Sequence, residues 1–370
     1  MSRDAAIALM DSPPSGWRGV RGSPGIAARQ LLPTVAALRW ASLSTETAEQ
    51  YRRAVQEWLG YCGDGPQHRH RRLERRSGVR DMDRCVCIYL ASIYQQHGGR
   101  LRYRAVNTLY GLYSCWPELR HQLSASEQLV CGWGRLRPSL SHPPLTWPLT
   151  TLIAVTMCLN GYADGGLATL VAFDALLRVS EMTSLRVRDV SAPMDPRRGR
   201  IAGPLASATT LLNNSRHVLI RLAVTKTGSN QWVELTNPAV ERLLLRRVRG
   251  RYGGSYVFQL SPGGRRSMAA AAYRRALRAV CCALGLDDHH FSPHSLRHGG
   301  ATHALQHLGQ SVETVMLRGR WRSNSSCRTY LQAGRAQLLE QRISDSVLSL
   351  ANTVADDWFD TLLTAVDAQC

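Results

Sequence analysis

The sequence predicts a mainly α protein that carries one small antiparallel β-hairpin. Along most of the chain, apolar residues recur at three- and four-residue steps, which is typical of helices with one buried face. Two β-rich segments, His217–Val224 and Gln231–Leu235, flank the turn residues Thr225–Asn230, and this pattern predicts the hairpin. Hydrophobic residues make up 44% of the 370 residues, so the chain can bury a core and is not a mostly disordered protein.

Changes in composition divide the chain into four parts. Residues 1–43 predict a basic, disordered N-terminal extension, because they are rich in Arg, Ser, Gly and Pro and show weak periodicity. Residues 44–140 predict a small helical domain, and prolines 138, 143 and 144 mark a linker after it. Residues 145–335 form the larger unit, and residues 336–370 predict a C-terminal helical tail with apolar residues at helical spacing.

The helices are placed by their caps and their apolar faces. Ser44 and Thr45 are candidate N-caps of the first helix, and Asn237-Pro238 opens a later one with a cap and an N1 proline. In the third helix we expect Tyr110 to face the core. The other helices are expected near Asp81–His97, Arg102–Cys115, Ala125–Leu136, Pro148–Asn160, Gly166–Leu177, Ser267–Leu284, His294–Leu308 and Ser311–Leu317, with a short one ending near Tyr330.

The charge predicts a polyanionic partner. There are 46 basic and 27 acidic residues, a net charge of +19 and a pI near 10.2. Such an excess indicates nucleic acid or an anionic membrane surface. The longest apolar runs, such as Leu149–Leu159 with its three threonines, are too short and too polar to span a bilayer, which excludes an ordinary membrane protein. The candidate phosphate-binding residues, for which simple solvation is the alternative, are Arg69, Arg71, Arg72, Arg135 and Arg137.

Lysine occurs once in the chain, at Lys226, and every other basic residue is arginine. A GC-rich genome that favours arginine codons is one explanation. A lone lysine also indicates a function that a guanidinium cannot perform, because an ammonium with a depressed pKa can give up its proton near neutral pH. The structural alternative is a solvated lysine in the hairpin turn.

The cysteine pattern predicts no metal site and no disulfide framework. None of the ten cysteines forms Cys-x-x-Cys or has zinc-ligand spacing to histidine. We therefore expect reduced, mostly buried thiols in an intracellular protein. The sequence also has no Gly-x-x-x-x-Gly-Lys, so no nucleotide cofactor is expected.

Four short segments carry candidate functional residues. Arg178 and Glu181 lie in Leu-Arg-Val-Ser-Glu at the end of an apolar helix, where a helix cap is the alternative interpretation. Lys226 is the second segment. His294 and Arg297 open another helix at positions i and i+3, so both side chains can point at one anion near the helix N-terminus.

The fourth segment is aromatic. Trp321 lies in Gly-Arg-Trp, and Tyr330 follows nine residues later in Arg-Thr-Tyr-Leu. Taken alone, both aromatic residues are typical of a helical core.

In this order the segments resemble the catalytic domain of the tyrosine recombinases, the phage integrase family. The family pattern is Arg, Lys, His-x-x-Arg, His or Trp, and Tyr, and Glu181 is similar to its supporting acid. The resemblance covers residues 145–335, while residues 44–140 resemble, less specifically, the family's core-binding, SAM-like helical DNA-binding domain. The matching residues are Arg178, Lys226, His294, Arg297, Trp321 and Tyr330.

The resemblance implies metal-free DNA cleavage. Tyr330 would attack phosphorus and form a 3′-phosphotyrosyl link that stores the bond energy, so no cofactor is implied. Arg178 and Arg297 would clamp the non-bridging oxygens, and His294 and Trp321 would donate further hydrogen bonds. Lys226 would be the general acid for the 5′ hydroxyl, since arginine holds its proton too tightly.

The implied function is site-specific recombination or integration, of a mobile element or a phage, on double-stranded DNA. The resemblance also implies a homo-oligomer, a tetramer on DNA, in which the C-terminal tail docks into a neighbouring copy; packing on its own domain is the alternative. Other candidate functions are a type IB topoisomerase-like or hairpin-resolving enzyme, a catalytically retired DNA-binding protein, and a basic RNA- or membrane-binding scaffold. The expected compartment is the nucleus in a eukaryote and the cytoplasm in a bacterium, with an organelle as the alternative if the extension is a transit peptide.

Overall fold

The computed structural model describes residues 40–64, 79–138, 142–192, 217–225, 228–259 and 267–368. Contacts divide the chain into two compact units, Met1–Leu140 and Ser141–Cys370. Most of the predicted extension, the candidate residues Arg69, Arg71 and Arg72, and Lys226 lie outside the described residues.

The first unit is a helical domain built on one core. Its helices are α1 (Thr45–Asp64), α2 (Val79–Gln96), α3 (Arg102–Cys115) and α4 (Ser124–Leu136). Ser44 caps α1, where its Oγ accepts the Thr47 N–H at 3.2 Å. Asp83 on α2 caps α4 by accepting the backbone N–H groups of residues 125 and 126. The central buried side chains are Val86, Leu90, Leu112 and Trp133.

Tyr110 does not face this core, contrary to the expectation from periodicity. Its side chain is 48% exposed and lies edge-on against Tyr113. Ala105, Leu109 and Leu112 form the buried face of α3 at helical spacing. Because each residue advances about 100° around a helix, the position after Leu109 leaves that face.

The second unit is mainly α with a three-stranded antiparallel sheet of order β1-β2-β3, which confirms the predicted fold class. The residue pairs of β2 and β3 run from Leu219↔Glu234 to Thr225↔Gly228. The elements are α5 (Trp147–Leu159), α6 (Ala163–Asp174), α7 (Val179–Ser184), β1 (Val190–Ser191), β2 (Leu219–Thr225), β3 (Gly228–Glu234), α8 (Pro238–Val248), α9 (Ala270–Ala283), α10 (Pro293–Gln306), α11 (Val312–Gly319), α12 (Asn324–Arg328), α13 (Ala333–Glu340) and α14 (Asp345–Asp367).

The hairpin turn is shorter than the six residues expected from composition. The strands pair up to Thr225 and Gly228, so only residues 226 and 227 separate them. The residues that predicted a turn, Gly228 and Asn230, instead belong to a solvent-exposed part of β3. Polar residues on an exposed strand have the same composition as a loop, which explains the error.

The core of this unit is centred on α5 and α6, which are buried nearly all round. The C-terminal helix α14 packs against α5 and α8 of its own unit and buries Ala351, Trp358, Leu362 and Val366 there. Within this single chain the tail packs on its own domain, as in the alternative interpretation, and docking into a neighbouring copy stays a prediction. The apolar spacing indicates that one face of the tail is buried but contains no information about which chain covers it.

Candidate active site

The turn that ends α6 positions the first candidate residue. The Leu177 N–H donates to the Ala172 carbonyl at 3.0 Å, and Leu176 takes a left-handed conformation with φ of 51°. This is the usual way for a helix to end, although glycine normally occupies the left-handed position. The chain then reverses, and Arg178 becomes the N-cap of α7.

Glu181 binds Arg178 through both carboxylate oxygens. Its Oε1 accepts from Arg178 Nη1 at 2.6 Å, and its Oε2 accepts from the Arg178 backbone N–H at 2.8 Å. Oε2 also accepts from Arg320 Nη2 at 2.8 Å. The Glu181 side chain is almost fully buried, so this carboxylate fixes Arg178 within the protein.

The start of α10 presents the second candidate segment. Ser292 is the N-cap, and its Oγ accepts the His294 N–H at 3.2 Å, with Pro293 at the first helical position. The ring of His294 stacks on His142 with centroids 5.4 Å apart. Burial lowers the pKa of His294, and His142, Arg297 and other nearby cations lower it further. We therefore expect His294 to be neutral at pH 7 and able to donate one hydrogen bond.

Two glycines bring α10 close to the segment that precedes α5 and to α6. A Cβ at Gly299 would overlap the Leu145 carbonyl oxygen, and one at Gly300 would overlap the Phe173 carbonyl oxygen. Only glycine permits this approach. It places the Arg297 guanidinium beside the end of α6, where Nη1 donates to the Leu176 carbonyl.

Arg297 is fully buried without contacting a carboxylate. Its other donor, Nη2, binds the Gly319 carbonyl, and its Cζ lies 4.5 Å from the Trp321 ring centroid. Burial, together with the nearby charges of Arg320 and Arg178, lowers the pKa of Arg297 to about 9. The guanidinium is therefore held at a high electrostatic energy that a bound anion would reduce.

The candidate nucleophile lies against the same guanidinium. The Tyr330 ring centroid is 5.4 Å from Arg297 Cζ, 4.7 Å from the Trp321 ring and 4.4 Å from the His298 ring. Burial lowers the pKa of His298 to about 4, so this ring is neutral at pH 7. Gly319 leaves room for the indole, because a Cβ there would overlap Trp321.

The cluster holds unpaired donors and an excess of positive charge. Six buried side-chain N or O atoms of the described residues lack a hydrogen-bond partner, and four of them belong to Arg297, Arg320 and Trp321. Three guanidiniums, those of Arg178, Arg297 and Arg320, share the single carboxylate of Glu181. Buried donors of this kind are normally satisfied, so the free N–H groups of Arg297 Nε and Trp321 Nε1 suit a phosphate or another oxyanion.

The structure thus brings together six of the seven residues singled out for catalysis and its support. The seventh, Lys226, lies outside the described residues, between β2 and β3. Of the predicted DNA-binding residues, Arg135 is exposed in the last turn of α4 and Arg137 is exposed just after it.

Sequence reasoning missed four side chains near the site. Arg320 and His298 each adjoin a predicted residue, so their sequence positions were the available signal. Arg274 and Arg278 are exposed on α9 and line a cavity together with His142 and His294. Their spacing of four residues on one helix face could have revealed them.

A comparison with known families matches residues 157–336 to the sequence model of the phage integrase family. No curated protein sequence matches the chain significantly. The match spans every candidate catalytic residue from Arg178 to Tyr330, and it ends within α13.

Similar solved structures include XerA recombinase and the Tn1549 transposon integrase in complex with circular intermediate DNA. XerA is 16% identical over 86% of this chain and 97% of its own, with a TM-score of 0.36. The Tn1549 integrase is 12% identical over 80% of this chain and 99% of its own, with a TM-score of 0.44. These TM-scores are low, so the family assignment depends on the sequence model.

Two further features of the described residues concern metals and membranes. No group of three or more His, Cys, Asp or Glu side chains among them could hold a metal ion. None of the described helices is long and apolar enough to cross a membrane.

Proposed function

The chain belongs to the phage integrase family, the tyrosine recombinases, and we propose that its second unit cuts a DNA strand with Tyr330 and rejoins it to a new partner. Site-specific recombination through a 3′-phosphotyrosyl link is the reaction of this family. For this chain, we propose which residue performs each step of that reaction.

The observation that carries the proposal is the position of Tyr330 beside buried, unpaired donors. Its ring lies within 5.4 Å of the Arg297 guanidinium, whose Nε lacks a partner. A scissile phosphate between the phenol and these donors would be attacked by the oxygen of Tyr330 while Arg178 and Arg297 stabilise the charge of the transition state. Because Tyr330 lies against Arg297 within a single chain, we propose that nucleophile and clamp act within one protomer.

The remaining roles follow from chemistry. His294, neutral at pH 7, donates one hydrogen bond to a non-bridging oxygen, and the Trp321 indole N–H donates another. Lys226, which lies between β2 and β3 in the sequence, protonates the leaving 5′ oxygen, and the proton that the Tyr330 phenol loses on attack balances this one. When a 5′ hydroxyl attacks the phosphotyrosine, phosphorus gains the new O–P bond, Tyr330 leaves as its phenol, and no external energy source is needed.

Double-stranded DNA is the proposed partner. The net charge of +19 and the exposed pair Arg274 and Arg278 beside the candidate site support phosphate contacts on the second unit. On the first unit we propose the same role for Arg135 and Arg137, together with Arg69, Arg71 and Arg72 of the basic run. The enzyme would act in whichever compartment holds its DNA, the nucleus of a eukaryote or the cytoplasm of a bacterium.

Strand exchange between two duplexes needs more than one active site, so we propose a homo-oligomer, a tetramer, assembled on DNA. Symmetric assemblies of identical chains are the usual solution. The predicted route, docking of the tail into a neighbouring copy, would require α14 to exchange its position on its own unit for the same position on the next copy.

Covalent trapping tests the proposal. The protein is mixed with nicked and pooled genomic DNA fragments and denatured in detergent, and a slowly migrating protein–DNA adduct is sought. We expect an adduct with the wild type and with Tyr252→Phe, a control at a tyrosine that is 82% exposed, and none with Tyr330→Phe.

The outcomes separate the candidate functions. An adduct that persists in Tyr330→Phe would overturn the assignment of the nucleophile. Salt-sensitive binding without any adduct, on pools enriched for bound DNA, would favour a retired enzyme. Among active products, joined recombinant strands indicate a recombinase, whereas relaxed circles indicate a topoisomerase-like enzyme.

A further inference from the structure

Arg320 lies between two elements of the site but has no part in the roles assigned above. It follows Gly319, whose carbonyl accepts from Arg297, and it precedes Trp321. It ends α11 in a left-handed conformation with φ of 58°, and the Trp321 N–H closes the turn on the Met316 carbonyl at 3.0 Å. Glycine is the usual residue at such a position, so an arginine there needs another explanation.

The side chain of Arg320 points inward and contacts both catalytic arginines through shared acceptors. Its Nη2 donates to Glu181 Oε2 at 2.8 Å, and Glu181 also binds Arg178. The same Nη2 lies 3.1 Å from the Leu176 carbonyl oxygen, which also accepts from Arg297. Arg320 is thus one shared acceptor away from each of the two arginines.

This position has an electrostatic consequence. A carboxylate that binds a single arginine neutralises it, whereas Glu181 divides its charge between Arg178 and Arg320. Arg178 therefore keeps more of its positive charge for an external anion. Arg320 also disfavours burial of the Arg297 charge, since among the neighbouring charges it has the largest lowering effect on the pKa of Arg297.

We propose that Arg320 is a positioning residue that fixes Arg178 and Arg297 relative to each other for a phosphodiester; this rests on the proposed function. Its side chain is only 5% exposed, so it acts through Glu181 and the Leu176 carbonyl and not through contact with DNA. Losing it allows both guanidiniums to move, and small displacements of charged groups around a transition state slow reactions strongly.

Two substitutions at this position test the idea. Arg320→Lys keeps a charge but cannot reach both acceptors with the planar geometry of a guanidinium. Arg320→Asn tolerates the left-handed backbone and removes the charge. The matched control is Arg318→Lys in the same helix, because Arg318 is also a largely buried arginine whose partners, Asp174, Thr236 and Gln310, lie outside the catalytic cluster.

The measurements are urea stability, the Kd for DNA, and the rate of adduct formation at saturating DNA on the sequence that covalent trapping recovers. We expect both Arg320 variants to bind DNA within about threefold of wild type and to form adduct roughly 10- to 100-fold more slowly. Arg318→Lys is expected to keep the rate within about twofold at temperatures well below its unfolding transition, because its partners do not hold the arginines.

A methylphosphonate at the cleaved position separates positioning from general destabilisation. A methyl group in place of one non-bridging oxygen removes the negative charge, so the reaction depends less on well-placed guanidiniums. The deficit of the Arg320 variants relative to wild type should shrink at least about fivefold on this substrate. An unchanged deficit, a rate equal to that of Arg318→Lys at matched stability, or a defect in Kd alone would overturn the proposal. Absence of an adduct with wild-type protein would instead overturn the proposed function.

Discussion

Two buried arginines in the second unit have opposite environments. Arg247 on α8 is 2% exposed and forms two hydrogen bonds with the Asp164 carboxylate, at 2.8 and 2.9 Å. Arg297 on α10 is equally buried, but within the described residues its hydrogen bonds go to backbone carbonyl oxygens and not to a carboxylate, with two further guanidiniums nearby. The fold neutralises the first charge itself, whereas the second is balanced only in part, through Glu181.

The difference distinguishes a structural arginine from a binding one. A paired buried arginine joins two helices, here α8 and α6, and needs no ligand. A buried arginine with unpaired donors and cationic neighbours destabilises the free protein. Such destabilisation is expected at a site where a bound anion offsets it. In both cases the sequence has an arginine within a helix, so only the structure separates them.

Replacing each arginine by methionine should give opposite results: Arg297→Met should lose activity, and Arg247→Met should lose stability. These are the largest effects that we expect. Arg297→Met removes a transition-state donor, so adduct formation should fall by at least about 10²-fold. Its stability should change by only about 1–2 kcal/mol, because the buried charge disappears while the Leu176 carbonyl keeps Arg320 as a partner. Arg247→Met leaves the buried Asp164 carboxylate with the Gln259 N–H, at 2.7 Å, but without its positive partner, which should cost about 3–5 kcal/mol.

Urea denaturation and covalent trapping measure the two effects in the same preparations. The double variant Arg247→Met with Asp164→Leu is the control, because removing both charges should recover most of the stability. If Arg297→Met lost as much stability as Arg247→Met, or if it retained cleavage, the distinction between the two arginines would fail.

The helix α14 packs against α8, the helix that carries Arg247, and the residues that it buries are apolar. Trp358 is 6% exposed and lies edge-on against Trp147 of α5, with ring centroids 5.7 Å apart. Trp358→Ala should lower the free energy of unfolding by about 3–5 kcal/mol in the monomer without DNA. Leu350→Ala, at a side chain that is 47% exposed on the same helix, should change it by less than about 0.5 kcal/mol.

Denaturation at several protein concentrations checks this prediction and the position of the tail. A loss that is independent of concentration agrees with packing on the chain's own unit. A loss that appears only at concentrations where the wild type is oligomeric would show that α14 is covered by a neighbouring copy.

Much of the architecture could be predicted because local signals and tertiary packing agree. The predicted third helix, Arg102–Cys115, matches α3, and the Asn237 cap forms as expected, accepting the N–H groups of residues 239 and 240. Both hairpin strands were found, but the second was predicted to start three residues too late, because exposed strand residues resemble a turn. Strand β1, only two residues long, carries no periodicity to detect.

The residue types of the candidate site could be predicted from the sequence, but the hydrogen-bond network that connects them could not. Chain order located Arg178, His294 and Tyr330, since each lies in a recognisable segment. The acceptors that connect them are the backbone carbonyls of Leu176 and Gly319. Every residue has a backbone carbonyl, so the sequence does not indicate which ones act as acceptors. Arg320 was visible in the Gly-Arg-Trp segment, but its role depends on a shared acceptor from another helix.

The region around the candidate active site should also be the first part of the second unit to unfold in acid, because it already holds unbalanced positive charge. His298 stacks on Tyr330, and the charges of His142, His294 and Arg297 also act on it. Burial lowers its pKa to about 4, so between about pH 6.5 and 4 the unfolded state binds more protons than the folded state. Stability therefore falls as the pH falls through this window, by roughly 2 kcal/mol from this residue between pH 7 and 5.

His298→Asn should remove that part of the acid sensitivity, measured as the difference in unfolding free energy between the two pH values. His121→Asn is the matched control, since His121 is exposed in the first unit at a left-handed position that asparagine accepts. His303 on the same helix, also with a pKa near 4 through burial, keeps part of the dependence in the variant. Hydrogen exchange shows where the protein opens. Acid should expose amides of α10 before those of α5, because a protonated His298 places a further cation beside Arg297. Equal exposure of both helices would mean that the unpaired charge does not govern where this unit opens.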